Sequence, residues 1–251
     1  MLKMKKLNKH EPLKLGFIGG GSSSTIGQAH YTASHLDGRW QLDSGFFSRQ
    51  KSINYKTGRN WNVSLNRIYN SLKEFISKEA SRLDAVVVLT PTPNHYKILR
   101  NLAQKRIPII CEKPLVSSLK EAKLVEKFIK KSGSFLTVTY NYTGYPMVRD
   151  LRQRIIKGEL GKIQQIHFEM PQDALSNSRS KIKKWRLNDN EIPTICLDLG
   201  VHLHNLAYFI TRKEPERVMA NFFNNSKHKK LIDNILMWLE YNNGMKGSFW
   251  M

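Results

Sequence analysis

The stretch Leu15-Gly16-Phe17-Ile18-Gly19-Gly20-Gly21 decides the fold, and Gly27 follows it after five intervening residues. An apolar strand that runs into glycines just before a helix is typical of the phosphate-binding turn of a dinucleotide site. Glycine allows the backbone to turn tightly and to approach a pyrophosphate, and the first N–H groups of the helix face the phosphates. The spacing departs from G-x-G-x-x-G, so a flexible turn without a ligand stays open as the alternative.

Hydroxyl side chains fill the longer turn, since three serines and a threonine separate Gly21 from Ile26. We expect their hydroxyls to donate hydrogen bonds to phosphate. The predicted cofactor contacts of this region lie in the turn and at the helix start: Gly19, Gly21, Ser22, Thr25 and Ile26.

Outward from this turn, short apolar runs alternate with amphipathic segments as far as residue 140. Strands are predicted at 15–18, 41–47, 85–89, 107–111 and 135–139, and helices at 26–36, 71–79, 96–105 and 119–131. Strands that alternate with helices indicate a parallel sheet with right-handed crossovers. The sequence therefore predicts the α/β class, with a doubly wound Rossmann domain over residues 1–139.

After residue 140 the pattern changes. Helices are predicted at 147–157 and 197–210, a half-exposed antiparallel strand at 163–170, and strands at 218–223, 235–241 and 246–251. Asn242-Asn243-Gly244 marks a hairpin turn. We expect residues 140–251 to form an incomplete α+β domain with a mainly antiparallel sheet, whose unpaired edge is Phe249-Trp250. That expectation makes the chain either a fragment or the product of a truncated gene.

Composition narrows the functional classes. The 251 residues are 40% hydrophobic and 24% charged, as in soluble globular proteins, and no apolar run has the length of a membrane span or a secretory signal. Cys111 and Cys196 are the two cysteines, so we expect a reducing cytoplasm and no metal site. The net charge of +21 suits phosphate-bearing ligands or nucleic acid. The basic residues are dispersed and not interleaved with aromatic ones, which makes a nucleic-acid binder the less favoured alternative.

The end of the second predicted strand bears on the coenzyme. NAD sites usually carry an acidic residue there for the ribose 2′-hydroxyl, but residues 46–51 contain none. Ser48 and Arg49 could hold a 2′-phosphate, with arginine suited by its bidentate fork. The charge argument favours NADP, and NAD bound without an acidic residue stays open.

Three further motifs carry a family resemblance: Thr90-Pro91-Thr92-Pro93-Asn94-His95, Cys111-Glu112-Lys113-Pro114-Leu115 and Leu197-Asp198-Leu199-Gly200-Val201-His202. In this order they resemble the T-P-x-x-x-H, E-K-P and D-x-G-x-H motifs of the glucose–fructose oxidoreductase and inositol dehydrogenase (Gfo/Idh/MocA) family. The resemblance implies an NAD(P)-dependent enzyme that oxidises or reduces a carbinol or carbonyl of a sugar, polyol or sugar derivative. It also implies a homo-oligomer where the second domain is complete.

The resemblance also assigns catalytic roles. Lys113 would hydrogen-bond the reacting oxygen and stabilise its developing negative charge, and it would also contact the bound cofactor. His202 would be the acid/base. Asp198, four residues earlier, would lie on the same helical face and orient the imidazole or contact a substrate hydroxyl.

Other positions follow from the same resemblance. Thr90 and Pro91 would line the nicotinamide side and Glu112 the ribose, whereas His95 is either a cofactor ligand or a packing residue. The expected substrate contacts are Tyr140, Asn141, Tyr142, Trp185 and Arg186.

One segment departs from the family pattern. The family's glycine-rich run before D-x-G-x-H is replaced by bulkier residues at 191–196. A decayed member that binds dinucleotide without turnover is therefore the main alternative to an active dehydrogenase.

Overall fold

The computed structural model describes residues 11–173, 187, 189–226, 228 and 230–251. The chain divides into two compact units, Met1–Thr139 and Tyr140–Met251. Within the described ranges, no helix has the length and apolar character needed to cross a membrane.

The first unit contains one sheet of five parallel strands in the order β2-β1-β3-β4-β5. The strands are β1 (Leu13–Gly19), β2 (Trp40–Phe46), β3 (Ala85–Leu89), β4 (Ile109–Glu112) and β5 (Leu136–Thr139). The helices are α1 (Thr25–His35), α2 (Lys51–Asn60), α3 (Leu72–Glu79), α4 (His95–Gln104) and α5 (Leu119–Ser132). The predicted doubly wound Rossmann fold is confirmed.

Apolar side chains explain why β3 is the central strand of the sheet. All five residues of β3 are buried, because side chains on both faces of this strand meet apolar clusters. Phe75, Leu99 and Ile109 belong to one cluster, and Phe17 and Trp61 to the other. Burial of each such side chain stabilises the fold by about 1.5–3 kcal/mol.

Helix α2 was not predicted, because its inward face is largely polar. Its buried residues are Asn54, Thr57 and Gly58. A Cβ at Gly58 would come within 2.2 Å of Ile68 Cδ1, so glycine lets the helix approach its neighbours closely.

A buried ion cluster lies near α3. The guanidinium of Arg67 is 2.5 Å from Asp43 Oδ2 and also pairs with the fully buried Glu79. The hydroxyl of Tyr69 donates to the same Glu79 carboxylate. These contacts tie residues of β2, α3 and the segment between α2 and α3 to one another.

The second unit has a mixed four-stranded sheet in the order β6-β9-β8-β7. Its strands are β6 (Gln165–Glu169), β7 (Pro215–Phe223), β8 (Asn234–Tyr241) and β9 (Lys246–Trp250), and its helices are α6 (Pro146–Ile156) and α7 (Val201–Thr211). Two of the three strand pairings are antiparallel, which confirms the mainly antiparallel prediction. The prediction for β6 was wrong, because β6 pairs in parallel with β9.

The last strand is not the edge that the sequence suggested. β9 lies between β6 and β8, and Phe249 is buried within the cluster beneath α7. The indole nitrogen of Trp250 donates to Asn234 Oδ1 at 2.9 Å. The predicted hairpin before β9 is confirmed, with Gly244 at φ +84°. The prediction of an unpaired edge at residues 249–250 was wrong.

Candidate functional site

The glycine turn is built by close backbone contact. Gly19 and Gly20 have φ values of +85° and +70°, which side chains rarely allow. A Cβ at Gly27 would lie 1.8 Å from the carbonyl oxygen of Gly20, so the first turn of α1 presses directly on the glycine turn. Thr25 and Ile26 begin α1. The first N–H groups of a helix have no acceptor within it, so they are available to an anion.

The hydroxyls of the turn serve the fold to a larger extent than the sequence suggested. The N–H of Ser22 donates to Thr57 Oγ1 at 3.0 Å, and the two hydroxyls are 3.3 Å apart. Ser24 caps α1 by accepting from the N–H of Gly27 at 3.3 Å. Ser22 and Ser24 thus have a role within the fold, and the expectation that the hydroxyls of the turn donate to phosphate stays a prediction.

A side chain of α2 hydrogen-bonds to the backbone that follows β2. Asn54 Oδ1 accepts from the N–H groups of Phe47 and Ser48 at 2.8 and 3.3 Å. Its amide nitrogen donates to the carbonyl of Tyr69 at 2.7 Å. Ser48 is half-buried and its hydroxyl accepts from the N–H of Gln50, whereas Arg49 is exposed. The guanidinium of Arg49 thus projects from a fixed turn into solvent.

The end of β3 contains an orphaned polar atom. Thr90 Oγ1 is buried and has no hydrogen-bond partner among the described residues. Its carbonyl oxygen lies 2.7 Å from His95 Nε2, and His95 Nδ1 lies 3.0 Å from the carbonyl of Pro114. His95 is 1% exposed, so the structure favours the packing role over direct contact with a cofactor. Pro91 is exposed beside this turn.

Glu112, at the end of β4, has two donors on a single oxygen. His30 Nε2 is 2.8 Å from Glu112 Oε1, and the hydroxyl of Thr139 donates to the same oxygen at 2.7 Å. Burial raises the pKa of Glu112, but the hydrogen bonds from His30 and Thr139 outweigh burial and hold the pKa below its ordinary value. The carboxylate is therefore ionised at neutral pH.

Lys113 follows directly and is half-buried. The peptide bond between Lys113 and Pro114 is cis. Pro114 is buried, and its carbonyl lies beside His95. The backbone of the E-K-P segment is thus held by α4 as well as by the strand.

In the second unit, the residues of the D-x-G-x-H motif span a change in helix type. Asp198 lies in a π-helical turn, Cys196–Gly200, and His202 is in the first turn of α7. The prediction that the two residues share one face of a regular α-helix therefore needs correction. π-turns occur often at functional sites. The Cβ of an alanine at position 200 would lie 3.3 Å from Met251 Sδ, a tight contact that a small shift of the methionine side chain would relieve.

Aromatic rings enclose His202, which is 6% exposed. The rings of Tyr140 and Tyr142 meet the imidazole edge-on, with centroids 6.0 and 4.9 Å away. Asn141 lies between them in sequence and is exposed. Two of the predicted substrate residues therefore line the histidine, and the other predicted pair, Trp185 and Arg186, lies outside the described residues.

The segment that replaces the family's glycine run borders a cavity. This cavity, of about 470 Å³, lies along the π-turn and α7, and Ile192 and Cys196 line it together with His204 and Met237. Burial raises the pKa of the Cys196 thiol to about 11, so the thiol is neutral. The bulky residues at 191–196 therefore shape a wall of a cavity within the second unit.

Four residues that hold the site in place were not predicted from the sequence. Asn54 and Thr57 lie on the unpredicted α2, and His30 lies on α1 beyond the motif. Thr139 ends β5 opposite Glu112 in the parallel register. A polar residue at the end of a parallel strand was the one available signal, since such ends lie where ligands bind.

Comparison with known proteins agrees with this geometry. Residues 13–140 match an oxidoreductase family with an NAD-binding Rossmann fold, and residues 148–251 match the GFO/IDH/MocA C-terminal domain. The chain is 27% identical over 253 residues to an uncharacterized oxidoreductase, YfiI, of Bacillus subtilis, covering 96% of this chain and 64% of that protein. It is 26% identical over 170 residues to a scyllo-inositol 2-dehydrogenase (NAD(+)) of the same organism, covering 66% of this chain and 47% of that protein.

A solved structure supports the same family relationship. An inositol dehydrogenase homologue from Azotobacter vinelandii, complexed with NADH and myo-inositol, superposes with a TM-score of 0.87 at 27% identity. The superposition covers 96% of this chain and 64% of that one. The chain thus spans about 64% of the length of both YfiI and this structural neighbour.

Proposed function

The chain belongs to the Gfo/Idh/MocA oxidoreductase family, and from that premise we propose that the protein transfers hydride between a nicotinamide coenzyme and a sugar or polyol. The reacting group is a carbinol in one direction and a carbonyl in the other. When bound, the coenzyme supplies the hydride chemistry, and the protein orients it and manages the proton. Lys113 is the residue on which this activity depends most directly.

The observation that carries the proposal is the contact between Gly20 and Gly27. The gap between the turn and α1 admits no Cβ, because a side chain at Gly27 would lie 1.8 Å from the Gly20 carbonyl oxygen. Such closeness brings backbone N–H groups to the end of β1, where they suit a pyrophosphate. The orphaned hydroxyl of Thr90 supports the same fit, since a buried polar atom without a partner is costly unless a ligand supplies one.

We assign the coenzyme to NADP, with NAD as the alternative. The support is local charge: Arg49 is exposed beside Ser48, and no acidic residue lies between positions 46 and 51. A 2′-phosphate would accept a bidentate pair of hydrogen bonds from the guanidinium. The homologues complexed with or named for NAD(H) keep NAD in consideration.

The chemical roles follow the residue types. The Lys113 ammonium hydrogen-bonds the reacting oxygen and stabilises negative charge on it during hydride transfer. His202 holds or releases the proton, as an imidazole does near neutral pH, and Asp198 orients it or contacts a substrate hydroxyl. Tyr140 and Tyr142 form the aromatic enclosure of His202 that faces the substrate.

The proposed substrate class is a polyhydroxylated ring of the inositol or sugar kind. The two inositol-type relatives support this class, and hydroxyl-rich ligands suit a site whose contacts are hydroxyl, amide and imidazole groups. Self-association of the protein where the second domain is complete is part of the proposal as well. The support is an outer sheet face in the second unit that exposes Met219, Leu236 and Trp238.

The test measures binding and turnover separately. NADH and NADPH are titrated by fluorescence, and activity is assayed over a panel of inositols, aldoses and sugar phosphates. Lys113→Ala is expected to lower kcat by about 10²–10³-fold while coenzyme affinity changes little. Lys97→Ala, at an exposed lysine on α4, is the matched control and leaves both unchanged.

Each contrary result has a clear meaning. Unchanged turnover in Lys113→Ala removes this lysine from the mechanism. Tight coenzyme binding with no turnover over the whole panel favours the decayed member. Binding of DNA with no affinity for either coenzyme rejects the oxidoreductase proposal, and tighter binding of NADH than NADPH overturns the coenzyme assignment.

A further inference from the structure

The Glu112 carboxylate has an arrangement that the proposed chemistry does not use. Both donors meet the same oxygen, Oε1, and they come from different elements: His30 from α1 and Thr139 from β5. The side chains of His30 and Glu112 are 19% and 15% exposed. An ionised carboxylate only accepts hydrogen bonds, so the imidazole nitrogen facing it must be the donor.

Two donors on one oxygen affect the orientation of the carboxylate as well as its charge. Two donors from different elements restrict rotation of the carboxylate about its last torsion more than a single donor does. A carboxylate on a side chain that is 15% exposed also needs compensation to stay ionised, and the hydrogen bonds supply it.

We propose that His30 is a positioning residue that sets both the orientation and the charge of Glu112, the residue directly before Lys113. The inference rests on the proposed function, because Glu112 is expected to line the ribose of the bound coenzyme. Through Glu112, α1 pins the end of β4 and with it the start of the E-K-P segment. His30 therefore connects the glycine turn, at one end of α1, to the lysine that acts on the substrate.

The groups that face Glu112 define what would change if His30 were removed. They are the imidazole of His30, the hydroxyl of Thr139 and the ammonium of Lys113, which lowers the pKa of Glu112 by its charge. The neighbouring Cys111 is neutral, because burial raises the pKa of its thiol. Among the contacts that the structure describes, loss of His30 leaves the Thr139 hydroxyl and the lysine charge to oppose burial.

The experiment titrates Glu112 directly, by ¹³C NMR of its side-chain carboxyl in the free protein. His30→Leu is expected to raise the titration midpoint by about one to two pH units, the value of one hydrogen bond to a charged group. His30→Gln keeps an N–H donor at similar reach and is expected to restore the midpoint to within about half a unit. His35→Leu, on the same helix but exposed, is the control and leaves the midpoint unchanged.

The same variants are then assayed for coenzyme affinity and turnover. The pH below which coenzyme affinity falls moves up in His30→Leu with the carboxyl midpoint, and Thr139→Val, which removes the other donor, moves it in the same direction. A merely structural role would lower the melting temperature without moving the pH dependence of coenzyme affinity. If His30→Leu fails to fold, Thr139→Val and His30→Gln still report the midpoint.

The result that overturns the inference is a Glu112 midpoint unchanged in both His30→Leu and Thr139→Val. A second such result is a midpoint that rises in His30→Leu while coenzyme affinity keeps the wild-type pH profile. Failure of the proposed function looks different, because wild-type protein would then show no coenzyme binding while its Glu112 midpoint still depended on His30.

Discussion

Gly27→Ala tests the idea that close packing of α1 on the glycine turn creates the coenzyme site. The added Cβ would lie 1.8 Å from the Gly20 carbonyl oxygen and 2.5 Å from its carbonyl carbon. Cβ atoms in proteins essentially never approach closer than 3.0 Å, so the gap must widen by at least 1.2 Å (3.0 minus 1.8). The obstacle is backbone, which has no side-chain torsion to relieve it, so either the turn or the helix start has to move.

The size of the effect follows from that movement. A hydrogen bond to a charged group contributes about 1.5–3 kcal/mol, and a shift of this size removes at least one backbone bond to the pyrophosphate. Coenzyme affinity should therefore fall roughly tenfold to a hundredfold. Overpacking should also lower the free energy of unfolding by about 1–3 kcal/mol.

A graded glycine series provides the controls. Gly144→Ala places its Cβ in open space at an ordinary φ, and Gly21→Ala meets Ile53 Cγ2 and Thr57 Oγ1 at 3.3 Å. Dissociation constants for NADPH and NADH, measured by fluorescence on variants whose circular dichroism is native, should rise in the order 144, 21, 27. A folded Gly27→Ala protein that binds either coenzyme as tightly as Gly144→Ala would refute the reasoning.

Two further predictions concern buried ionisable groups. Glu79→Gln leaves the Arg67 guanidinium with Asp43 as its described charge partner, so chemical denaturation should show the free energy of unfolding lowered by about 1.5–3 kcal/mol. Glu126→Gln removes one partner of an exposed helix pair and should change the free energy of unfolding little, so equal effects of the two substitutions would contradict the burial argument. Because burial raises the pKa of Cys196 to about 11 and raises that of Cys111, alkylation of the native protein at pH 8 should be slow at both thiols and should accelerate at Cys196 as pH rises towards 11. Rapid labelling of Cys111 without unfolding would argue against its burial.

The first unit could be predicted closely because its signals are local. β3 was predicted at 85–89 and occupies those residues, since an unbroken apolar run of that length suits a strand buried on both faces. Helix α2 was not predicted because it packs through Asn54, Thr57 and Gly58 rather than through an apolar stripe. Helical periodicity detects apolar faces, and a face of buried polar and small residues carries no such signal.

The second unit shows a different limit. Alternation along β6 correctly indicated a half-exposed strand, but alternation specifies only which side chains share a face. Its parallel pairing with β9 depends on where a distant segment lies, and residues 165–169 hold no information about that. The apolar character of Phe249 was interpreted as a hazardous edge, although it belongs to a strand with neighbours on both sides.

The candidate site shows why motif and geometry were not equally predictable. A motif is composed of residues that touch the ligand, and their types follow from its chemistry: glycine for a pyrophosphate, lysine for a developing negative charge. The residues that hold those motifs in place make hydrogen bonds to backbone instead, as Asn54 does at the end of β2 and His95 does beneath Thr90. Any residue with a donor or acceptor of suitable length can serve there, so residue type alone does not reveal the role. The chemistry of the site can therefore be predicted from the sequence, whereas the exact placement of its groups depends on contacts that only the fold brings together.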